Sequence, residues 1–396
     1  MKATIYNSKA SGKVIIPPSK SYLHRYIIAG ALAKGITIIK NFALSDDILA
    51  TINALKPFGI EFNINNDELK IKSQGLKRVD DVTINVNESA STLRFLCPVL
   101  SLFANKITFT GSAKLLARPM EEFINIFGQD IIIRKDKIEV FKPLSSSSFY
   151  LDGNTSSQFV SGLLFALPLM HNPSTIIIQG NLVSKNYVDL TIECLKDFGV
   201  NVKKEENVIY VLPHQEYIPC LKTIEGDYSQ AANFIVLAKI NNQIEIEGLN
   251  KQSLQGDKLI YDLLEKDEID LNNNIDLGPI LFVYASTLEK QTKFIGTNRL
   301  TYKEADRLLG MKQELTKFGI EFNIYDDVCF IKGKKDLAPC EELSSHNDHR
   351  ICMALAILAS IATHPCTINN IECVNKSYPN FFKDLERLGI KISYSK

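Results

Sequence analysis

A short apolar phrase ending in glycine recurs along the chain. It consists of Leu or Ile, two variable residues, Phe or Leu, and then Gly, and it occurs at residues 55–59, 124–128, 195–199, 315–319 and 385–389. Successive copies lie roughly 70 residues apart, except for one interval of roughly 120 that is close to two periods. The spacing therefore indicates one supersecondary unit that is used several times.

Each copy predicts a helix followed by a β-hairpin. The glycine is the residue type that ends a helix in the left-handed conformation. Alternating apolar residues follow, as in residues 60–64 and 320–324, and a polar turn then leads into a second strand. Residues 263–271 are a candidate for a degenerate sixth copy. We predict six α/β units, three to a domain; a solenoid is less favoured because its periods are nearer 20–50 residues.

Length, composition and charge narrow the classes of function. The 396 residues exceed the ~250–300 at which a single core stops growing, so two domains are expected. Lys plus Arg equals Asp plus Glu at 45 each, which disfavours nucleic acid and membrane surfaces as partners. No apolar run resembles a secretory signal or a membrane span, and eight scattered cysteines without a Cys-x-x-Cys pair favour free thiols. We therefore expect a cytoplasmic protein.

Arginine is used sparingly, which makes its positions informative. The chain has 36 lysines and 9 arginines. Arginine is favoured where a planar fork binds a carboxylate or a phosphate. Five arginines lie in segments rich in hydroxyl, charged and small residues: Arg25, Arg94, Arg118, Arg307 and Arg350. Any one of them could form an ordinary ion pair, but together they indicate a site for a strongly anionic small molecule.

Polar residues also accumulate where apolar helices are predicted to begin. Residues 17–25, 87–94, 153–158 and 225–229 each place several hydroxyl, amide or charged side chains before an apolar run. An N-cap needs one such residue, and a helix N-terminus attracts anions. Each segment alone could be a capped helix; four of them favour a phosphate or carboxylate site.

Three segments of the C-terminal half carry acid–base candidates. Residues 272–279 place Asp276 before an apolar run, residues 302–307 alternate charge, and residues 347–350 (Asn-Asp-His-Arg) lead directly into an apolar helix. The two charged clusters could each be a solvated helix face. The last segment is harder to explain in that way.

Five segments together resemble one family. They are Ser19-Lys20-Ser21 with Arg25, Ser156-Ser157-Gln158, Lys303-Glu304-Ala305-Asp306-Arg307, Asn347-Asp348-His349-Arg350 and Lys376-Ser377-Tyr378-Pro379. Their order and spacing over residues 10–390 are similar to those of the 5-enolpyruvylshikimate-3-phosphate synthase (EPSP synthase) family of enolpyruvyl transferases.

The resemblance implies an α/β fold of two domains. Each domain is built from three repeated β-α-β-α-β-β units, an arrangement described as an inside-out α/β barrel. Residues 1–17 and 226–396 would form a discontinuous domain holding both termini, and residues 18–225 an inserted domain, with substrates in the cleft between them. A monomer is implied.

The resemblance also implies a reaction. The enolpyruvyl group of phosphoenolpyruvate is transferred to the 5-hydroxyl of shikimate 3-phosphate, and phosphate is released, by addition and elimination through a tetrahedral intermediate. Such chemistry needs proton transfer and cations around two phosphates and two carboxylates. No metal and no cofactor are implied.

Site residues follow from the same resemblance. Asp276 would accept the proton of the 5-hydroxyl, and Glu304 or Lys20 would supply a proton to the methylene carbon. Shikimate 3-phosphate would be bound by Lys20, Ser21, Arg25, Ser156, Ser157, Gln158, Ser184, Asp276 and Lys303. Phosphoenolpyruvate would be bound by Lys20, Ala90, Arg118, Gln158, Arg307, Arg350 and Lys376.

Three positions depart from the family pattern. Ala90 stands where the family usually has glycine. By this resemblance, its methyl group would project toward the pocket in which glyphosate binds in sensitive members. We therefore expect tolerance of glyphosate at some cost in phosphoenolpyruvate affinity. Arg299 replaces an asparagine of some members, and Asn186 replaces a frequent proline.

Two alternatives to this function stay open from the sequence. A sister enzyme transfers enolpyruvate to UDP-N-acetylglucosamine, but its typical members carry a cysteine on the loop that here spans residues 111–120 and has none. A non-catalytic metabolite-binding protein on the same scaffold would be expected to have lost the charged residues, which are present.

Overall fold

The structure, a computed structural model, describes residues 1–241, 243–338 and 342–396; Cys340 lies outside the described residues. The strands are β1 (Lys2–Ile5), β2 (Gly12–Ile15), β3 (Lys34–Lys40), β4 (Glu61–Asn65), β5 (Glu68–Gln74), β6 (Val79–Asn85), β7 (Ala104–Thr110), β8 (Ile131–Ile133), β9 (Lys137–Val140), β10 (Ser148–Asp152), β11 (Ser174–Gln179), β12 (Val202–Glu205), β13 (Val208–Val211), β14 (Leu221–Thr223), β15 (Ile244–Glu247), β16 (Glu268–Asp270), β17 (Gln291–Ile295), β18 (Glu321–Tyr325), β19 (Val328–Lys332), β20 (Leu343–Ser344), β21 (Cys366–Asn369) and β22 (Ile392–Ser395). The helices are α1 (Lys20–Leu32), α2 (Asp46–Leu55), α3 (Ala90–Ser101), α4 (Ala113–Leu116), α5 (Glu122–Phe127), α6 (Ser157–Ala166), α7 (Asn186–Asp197), α8 (Tyr228–Asn241), α9 (Ile260–Leu263), α10 (Gly278–Ser286), α11 (Arg307–Thr316), α12 (His349–Ile361) and α13 (Phe381–Arg387).

The chain divides into two compact units. Residues 1–17 and 226–396 form one, which we call the terminal unit, and residues 18–225 form the other, which we call the inserted unit. Each unit buries its own core of aliphatic and aromatic side chains. Two separate cores agree with the length of 396 residues, because a single core stops growing at about 250–300 residues.

One strand order is repeated in both units. The described residues form six sheets, three in each unit, and five of these sheets have four strands. In the sheet β6-β7-β9-β8, β6 pairs parallel to β7 across helix α3, and β8 and β9 form the antiparallel hairpin. The predicted helix–glycine–hairpin unit is confirmed here, and the terminating glycines have positive φ, as at Gly59 (+85°) and Gly319 (+72°).

One copy of the unit is truncated. Strands β2 and β15 pair parallel to form a sheet of two strands, and helices α8 and α9 belong to the same copy. The strand that follows α9, β16, pairs with β17 of the next sheet and forms no hairpin. This copy is the one expected from residues 263–271 to be degenerate, and among the described residues it has two strands where the other five have four. The interval of roughly 120 residues between repeated glycines is shorter than two full periods because, in the described chain, this copy has no hairpin after α9.

Chain order shows where the inserted unit interrupts the terminal one. Strand β2 precedes the insertion and helix α8 follows it, so the split copy has its first strand on one side and its first helix on the other. Within the inserted unit, β14 at its end pairs parallel to β3 near its start and completes that sheet. Among the described residues, none of the helices has the length and hydropathy needed to cross a bilayer.

Three apolar helices in each unit begin within two residues of a polar or charged side chain. In the inserted unit these are α1, α3 and α6, whose N-cap residues are Ser19, Ser89 and Ser156. In the terminal unit they are α8, α10 and α12. The Asp348 side chain caps α12 by accepting the N–H groups of Arg350 and Ile351. These helix starts carry most of the predicted site residues.

Candidate active site

The guanidinium of Arg307 organises a cluster of charges in the terminal unit. Arg307 is the first residue of α11 and is 1% exposed. Its Nε donates to Asp348 Oδ2 at 2.8 Å, its Nη1 to Asp276 Oδ1 at 2.8 Å, and its Nη2 to Glu304 Oε2 at 2.7 Å. One buried cation thus fixes three carboxylates that come from three separate segments of the chain.

Asp276 is the carboxylate on which the cations converge. It lies in a 3₁₀ turn, Ile275–Leu277, directly before α10. Besides Arg307, the Lys303 Nζ lies 3.4 Å from Oδ1 and the Arg350 Nη2 lies 3.7 Å from Oδ2. Burial alone would raise the pKa of Asp276, but the charges of these three cations outweigh it and hold the pKa well below its ordinary value. Asp276 is therefore an ionised acceptor.

Lys303 occupies an unusual electrostatic position. Burial lowers its pKa to about 8, with Arg307 and Arg299 lowering it further and Asp276 acting in the opposite direction. Arg299 itself donates from Nη1 to the carbonyl oxygen of Asn272 at 2.8 Å. The Lys303 ammonium group therefore loses its proton at a pH only slightly above neutral, and an additional anion nearby would stabilise its positive charge.

Two further cations belong to this cluster. Arg350, near the start of α12, donates from Nη1 to the carbonyl oxygen of Ser229 at 2.8 Å. Its Nε is buried and has no hydrogen-bond partner among the described residues. Lys376 lies 4.0 Å from Glu304 and is 7% exposed. A bound anion would accept a hydrogen bond from the buried Arg350 Nε and would add negative charge to this cluster of cations.

A second group of predicted residues lies at the starts of α3 and α6 in the inserted unit. Arg94 Nη1 donates to Gln158 Oε1 at 3.0 Å, and Gln158 Nε2 donates to the Ser91 hydroxyl at 3.0 Å. Arg94 Nη2 also donates to the carbonyl oxygen of Pro119 at 2.8 Å, which holds the loop that carries Arg118. Ala90, the first residue of α3, adjoins Ser91. The helix starts and the loop are thereby connected.

Arg25 is a buried cation whose hydrogen bonds all go to neutral oxygens. It is 2% exposed, and it donates from Nε to the Thr191 hydroxyl at 2.8 Å, from Nη1 to the Ser21 carbonyl at 2.7 Å and from Nη2 to the Tyr187 carbonyl at 2.8 Å. Its guanidinium also lies over the Phe95 ring, 5.0 Å from the centroid. Burial lowers its pKa to about 10. No carboxylate pairs with Arg25 among the residues described, so a bound anion would supply the missing charge.

The remaining predicted residues of the inserted unit also lie at helix starts. Lys20, the first residue of α1, pairs with Asp47 Oδ2 at 2.6 Å. Ser156 caps α6 by accepting the N–H of Gln158, and Ser157 is the first residue of that helix. Ser184 precedes α7, which begins at Asn186, and has a φ of +55°. Hydroxyl groups and backbone N–H groups are thus concentrated at three helix N-termini.

The predicted residues divide into two sets, one in each unit, which we call the terminal cluster and the inserted cluster. The terminal cluster contains Asp276, Lys303, Glu304, Arg307, Arg350 and Lys376. The inserted cluster contains Lys20, Ser21, Arg25, Ala90, Arg118, Ser156, Ser157, Gln158 and Ser184.

Three acids were missed or given no role from the sequence. The sequence motifs do not include Asp47 or Asp257, and they include Asp348 without indicating a role for it. The signal available for Asp348 is its cap position directly before the apolar helix that begins at His349. Asp47 and Asp257 stand in ordinary polar stretches that carry no comparable signal.

Comparison with known proteins places the chain in the family that its sequence motifs resemble. The family model described as EPSP synthase (3-phosphoshikimate 1-carboxyvinyltransferase) matches residues 6–267 and 261–385. The 3-phosphoshikimate 1-carboxyvinyltransferase of Clostridium acetobutylicum is 40% identical over 407 residues, covering 96% of this chain and 95% of that protein. The one from Clostridium novyi is 38% identical, covering 97% of each.

Solved structures agree on the fold. The EPSP synthase from Acinetobacter baumannii superposes with a TM-score of 0.83 at 26% identity, covering 100% of both chains. The enolpyruvyl transferase NikO from Streptomyces tendae has a TM-score of 0.75 at 14% identity, covers 99% of this chain and 98% of that one, and shows the fold alone. On its sequence, its repeated α/β units and these matches, the chain belongs to the EPSP synthase (3-phosphoshikimate 1-carboxyvinyltransferase) family.

Proposed function

We propose that the two clusters act on one pair of substrates, phosphoenolpyruvate and shikimate 3-phosphate, with the terminal cluster carrying the proton chemistry. Family membership makes the chain a transferase of aromatic amino acid biosynthesis that moves the enolpyruvyl group to shikimate 3-phosphate. The observation that carries the assignment of roles is the Asp276 carboxylate, which Lys303, Arg307 and Arg350 surround.

The proposed addition step forms a bond between the 5-oxygen of shikimate 3-phosphate and C2 of phosphoenolpyruvate. Asp276 accepts the hydroxyl proton, and Glu304 or Lys20 delivers a proton to the methylene carbon, which becomes a methyl group. In the elimination step the methyl group returns a proton to the group that donated it, the C2–O bond to phosphate breaks, and the proton held by Asp276 leaves with inorganic phosphate. The protons and the leaving group then balance.

A carboxylate with so low a pKa is a weak base until the substrates arrive. The cations that lower the pKa of Asp276 are the same ones that we propose bind the substrate anions. Phosphate and carboxylate groups of the substrates would offset these positive charges, so the pKa of Asp276 would rise when both are bound. This coupling would give Asp276 its basicity in the complex in which it is needed.

The cations are proposed to divide between the two substrates. Arg307, Arg350 and Lys376, with Arg118 from the other cluster, would bind phosphoenolpyruvate, and the buried Arg350 Nε supports this role. Arg25 and the helix-start serines Ser156, Ser157 and Ser184 would bind shikimate 3-phosphate together with Ser21 and Lys303. Lys20 and Gln158 would contact both, and Ala90 would face phosphoenolpyruvate.

Phosphate release with two acceptors tests the function. The purified chain with phosphoenolpyruvate should release phosphate when shikimate 3-phosphate is added and should release none with UDP-N-acetylglucosamine. Release with the nucleotide sugar alone would favour the sister transferase. Absence of release with either acceptor, while both substrates still bind in calorimetry, would favour a non-catalytic binding protein.

We also propose a location and an assembly state for the protein. A cytoplasmic monomer that acts on small molecules, without nucleic acid or membrane partners, is supported by the equal numbers of positive and negative residues and by the seven free cysteines of the described chain. Light scattering of the purified chain should give the mass of one copy, 44.4 kDa, and a mass of two copies would contradict this.

A further inference from the structure

A buried acid that none of these roles uses lies beside the terminal cluster. Asp257 is 2% exposed and belongs to the 3₁₀ segment Gly256–Leu259. Its Oδ2 accepts the hydroxyl of Ser229, and its Oδ1 accepts the amide Nδ2 of Asn274 at 3.2 Å. Both partners are neutral, so neither bond is an ion pair.

Each of the two partners leads to a residue of the terminal cluster. The carbonyl oxygen of Ser229 accepts Nη1 of Arg350 at 2.8 Å, which ties the start of α8 to α12. Asn274 stands two residues before Asp276, and its carbonyl oxygen accepts the N–H of Leu277 at 2.9 Å. The Asn274 side chain therefore anchors the turn that presents Asp276.

We propose that Asp257 is a positioning residue for the transfer: by accepting both hydrogen bonds, its ionised carboxylate fixes the Asn274 turn and the Ser229 backbone, and so sets the positions of the Asp276 carboxylate and the Arg350 guanidinium. The proposal rests on the proposed function, because it concerns the geometry of the same reaction. Small displacements of groups that act on the reacting atoms can cost large factors in rate.

The acceptor pattern depends on the charge of Asp257. Protonation on Oδ2 would force the Ser229 hydroxyl to rotate and accept, so a charge-assisted hydrogen bond would be replaced by a weaker neutral one. The charged groups that act on this carboxyl are Asp276, from the turn before α10, and Arg350, from α12. Burial and the Asp276 charge raise the pKa of Asp257 to about 6, while Ser229, Arg350 and Asn274 act in the opposite direction. Positioning should weaken as the pH falls through that value.

The test compares Asp257→Asn with wild type across pH. Asparagine keeps the shape and presents an acceptor to Asn274, but it places a donor toward Ser229 and so mimics the protonated acid at every pH. At about pH 7.5 we expect kcat/KM for phosphoenolpyruvate to be about 10- to 30-fold below wild type. At about pH 5 the deficit should shrink to under about threefold, because the wild-type carboxyl is then protonated too.

The ratio of variant to wild type is the informative quantity. Substrate phosphates also titrate near pH 6, but that titration is common to both proteins and cancels in the ratio. Two controls should leave the ratio near one: Asp262→Asn, an exposed acid of α9, and Glu139→Gln, a buried acid of the inserted unit that pairs with lysines. Glu139→Gln also controls for the loss of a buried charge.

A second variant keeps the proposal falsifiable if Asp257→Asn does not fold. Ser229→Ala removes the hydroxyl donor and leaves the carbonyl that Arg350 uses, and we expect about a fivefold loss of kcat/KM. In the double variant the combined loss should be smaller than the product of the single losses, because both changes act on the same hydrogen bond between residues 229 and 257.

Three results would overturn the proposal: Asp257→Asn within about twofold of wild type at pH 7.5, an equal deficit at both pH values, or Ser229→Ala equal to wild type. A wild-type protein that releases no phosphate with shikimate 3-phosphate would instead refute the proposed function, whatever the variants do.

Discussion

The two clusters solve the problem of burying charge in different ways. In the terminal unit the charges compensate one another, since Arg307 holds three carboxylates and Asp276 faces three cations. In the inserted unit, Lys20 pairs with Asp47, but among the described residues the hydrogen bonds of the buried Arg25 go to neutral oxygens. A self-compensated cluster can set protonation states, whereas a buried cation such as Arg25, whose described hydrogen bonds go to neutral oxygens, gains most from a bound anion. We therefore propose that Asp276 of the terminal cluster accepts the substrate proton, and that Arg25 of the inserted cluster acts in substrate binding.

The strongest test of this division is Asp276→Asn. Because asparagine cannot accept the hydroxyl proton, kcat should fall by about 10³-fold. Binding of both substrates should be retained, since the change removes an anion from among cations that we propose bind anions. Steady-state phosphate release and calorimetry measure the two effects. Asp262→Asn serves as the matched control, and a kcat within about tenfold of wild type would argue against Asp276 as the proton acceptor.

The converse pattern is expected for Arg25→Gln in the inserted unit. Glutamine removes the buried charge, so KM for shikimate 3-phosphate should rise by about 30-fold or more, while kcat at saturation should stay within about fivefold. Arg78→Gln, which changes an exposed arginine of the same unit, is the control. A loss confined to kcat would contradict the proposal that Arg25 acts in binding shikimate 3-phosphate.

Lys303 makes a pH prediction for the terminal cluster. Its pKa is lowered to about 8, so the ammonium is charged below that pH and loses its charge above it. KM for shikimate 3-phosphate should therefore rise by about tenfold as the pH increases from 7 to 9.5. Lys303→Arg keeps the charge over this range and should flatten the dependence. The same rise in both proteins would assign it to another group.

The smallest expected effect concerns Ala90. Its position beside Ser91, to which Gln158 donates, places the methyl next to a residue that we propose contacts phosphoenolpyruvate. Ala90→Gly should lower the glyphosate concentration for half inhibition by about five- to tenfold and lower KM for phosphoenolpyruvate slightly. Inhibition of the unchanged protein at low micromolar glyphosate would refute the expected tolerance.

Local patterns in the sequence were enough to predict the elements that present the site. Hydroxyl residues followed by apolar runs marked the starts of α3, α6 and α12, because capping and burial are local properties of the chain. The repeated glycines predicted the helix–hairpin units for the same reason. The truncated copy was recognised as an irregular interval, but sequence alone did not show that its hairpin is absent.

Pairings between distant residues could not be predicted in this way. The bond from Arg94 to Gln158 joins residues 64 apart, and the bond from Arg307 to Asp348 joins residues 41 apart. Asp257 illustrates the limit most clearly. It stands in a short polar segment, and its importance depends on Ser229 and Asn274, which only the packing of α8 and the turn before α10 brings to it.

Product analysis in deuterium oxide tests the transfer chemistry most directly. With phosphoenolpyruvate and shikimate 3-phosphate, the wild-type protein should release phosphate in proportion to an enolpyruvyl ether of shikimate 3-phosphate. Because addition converts the methylene carbon into a methyl group and elimination restores it, NMR should find deuterium in the product's methylene group. An ether free of deuterium, or phosphate released without any ether, would contradict addition and elimination by this chain.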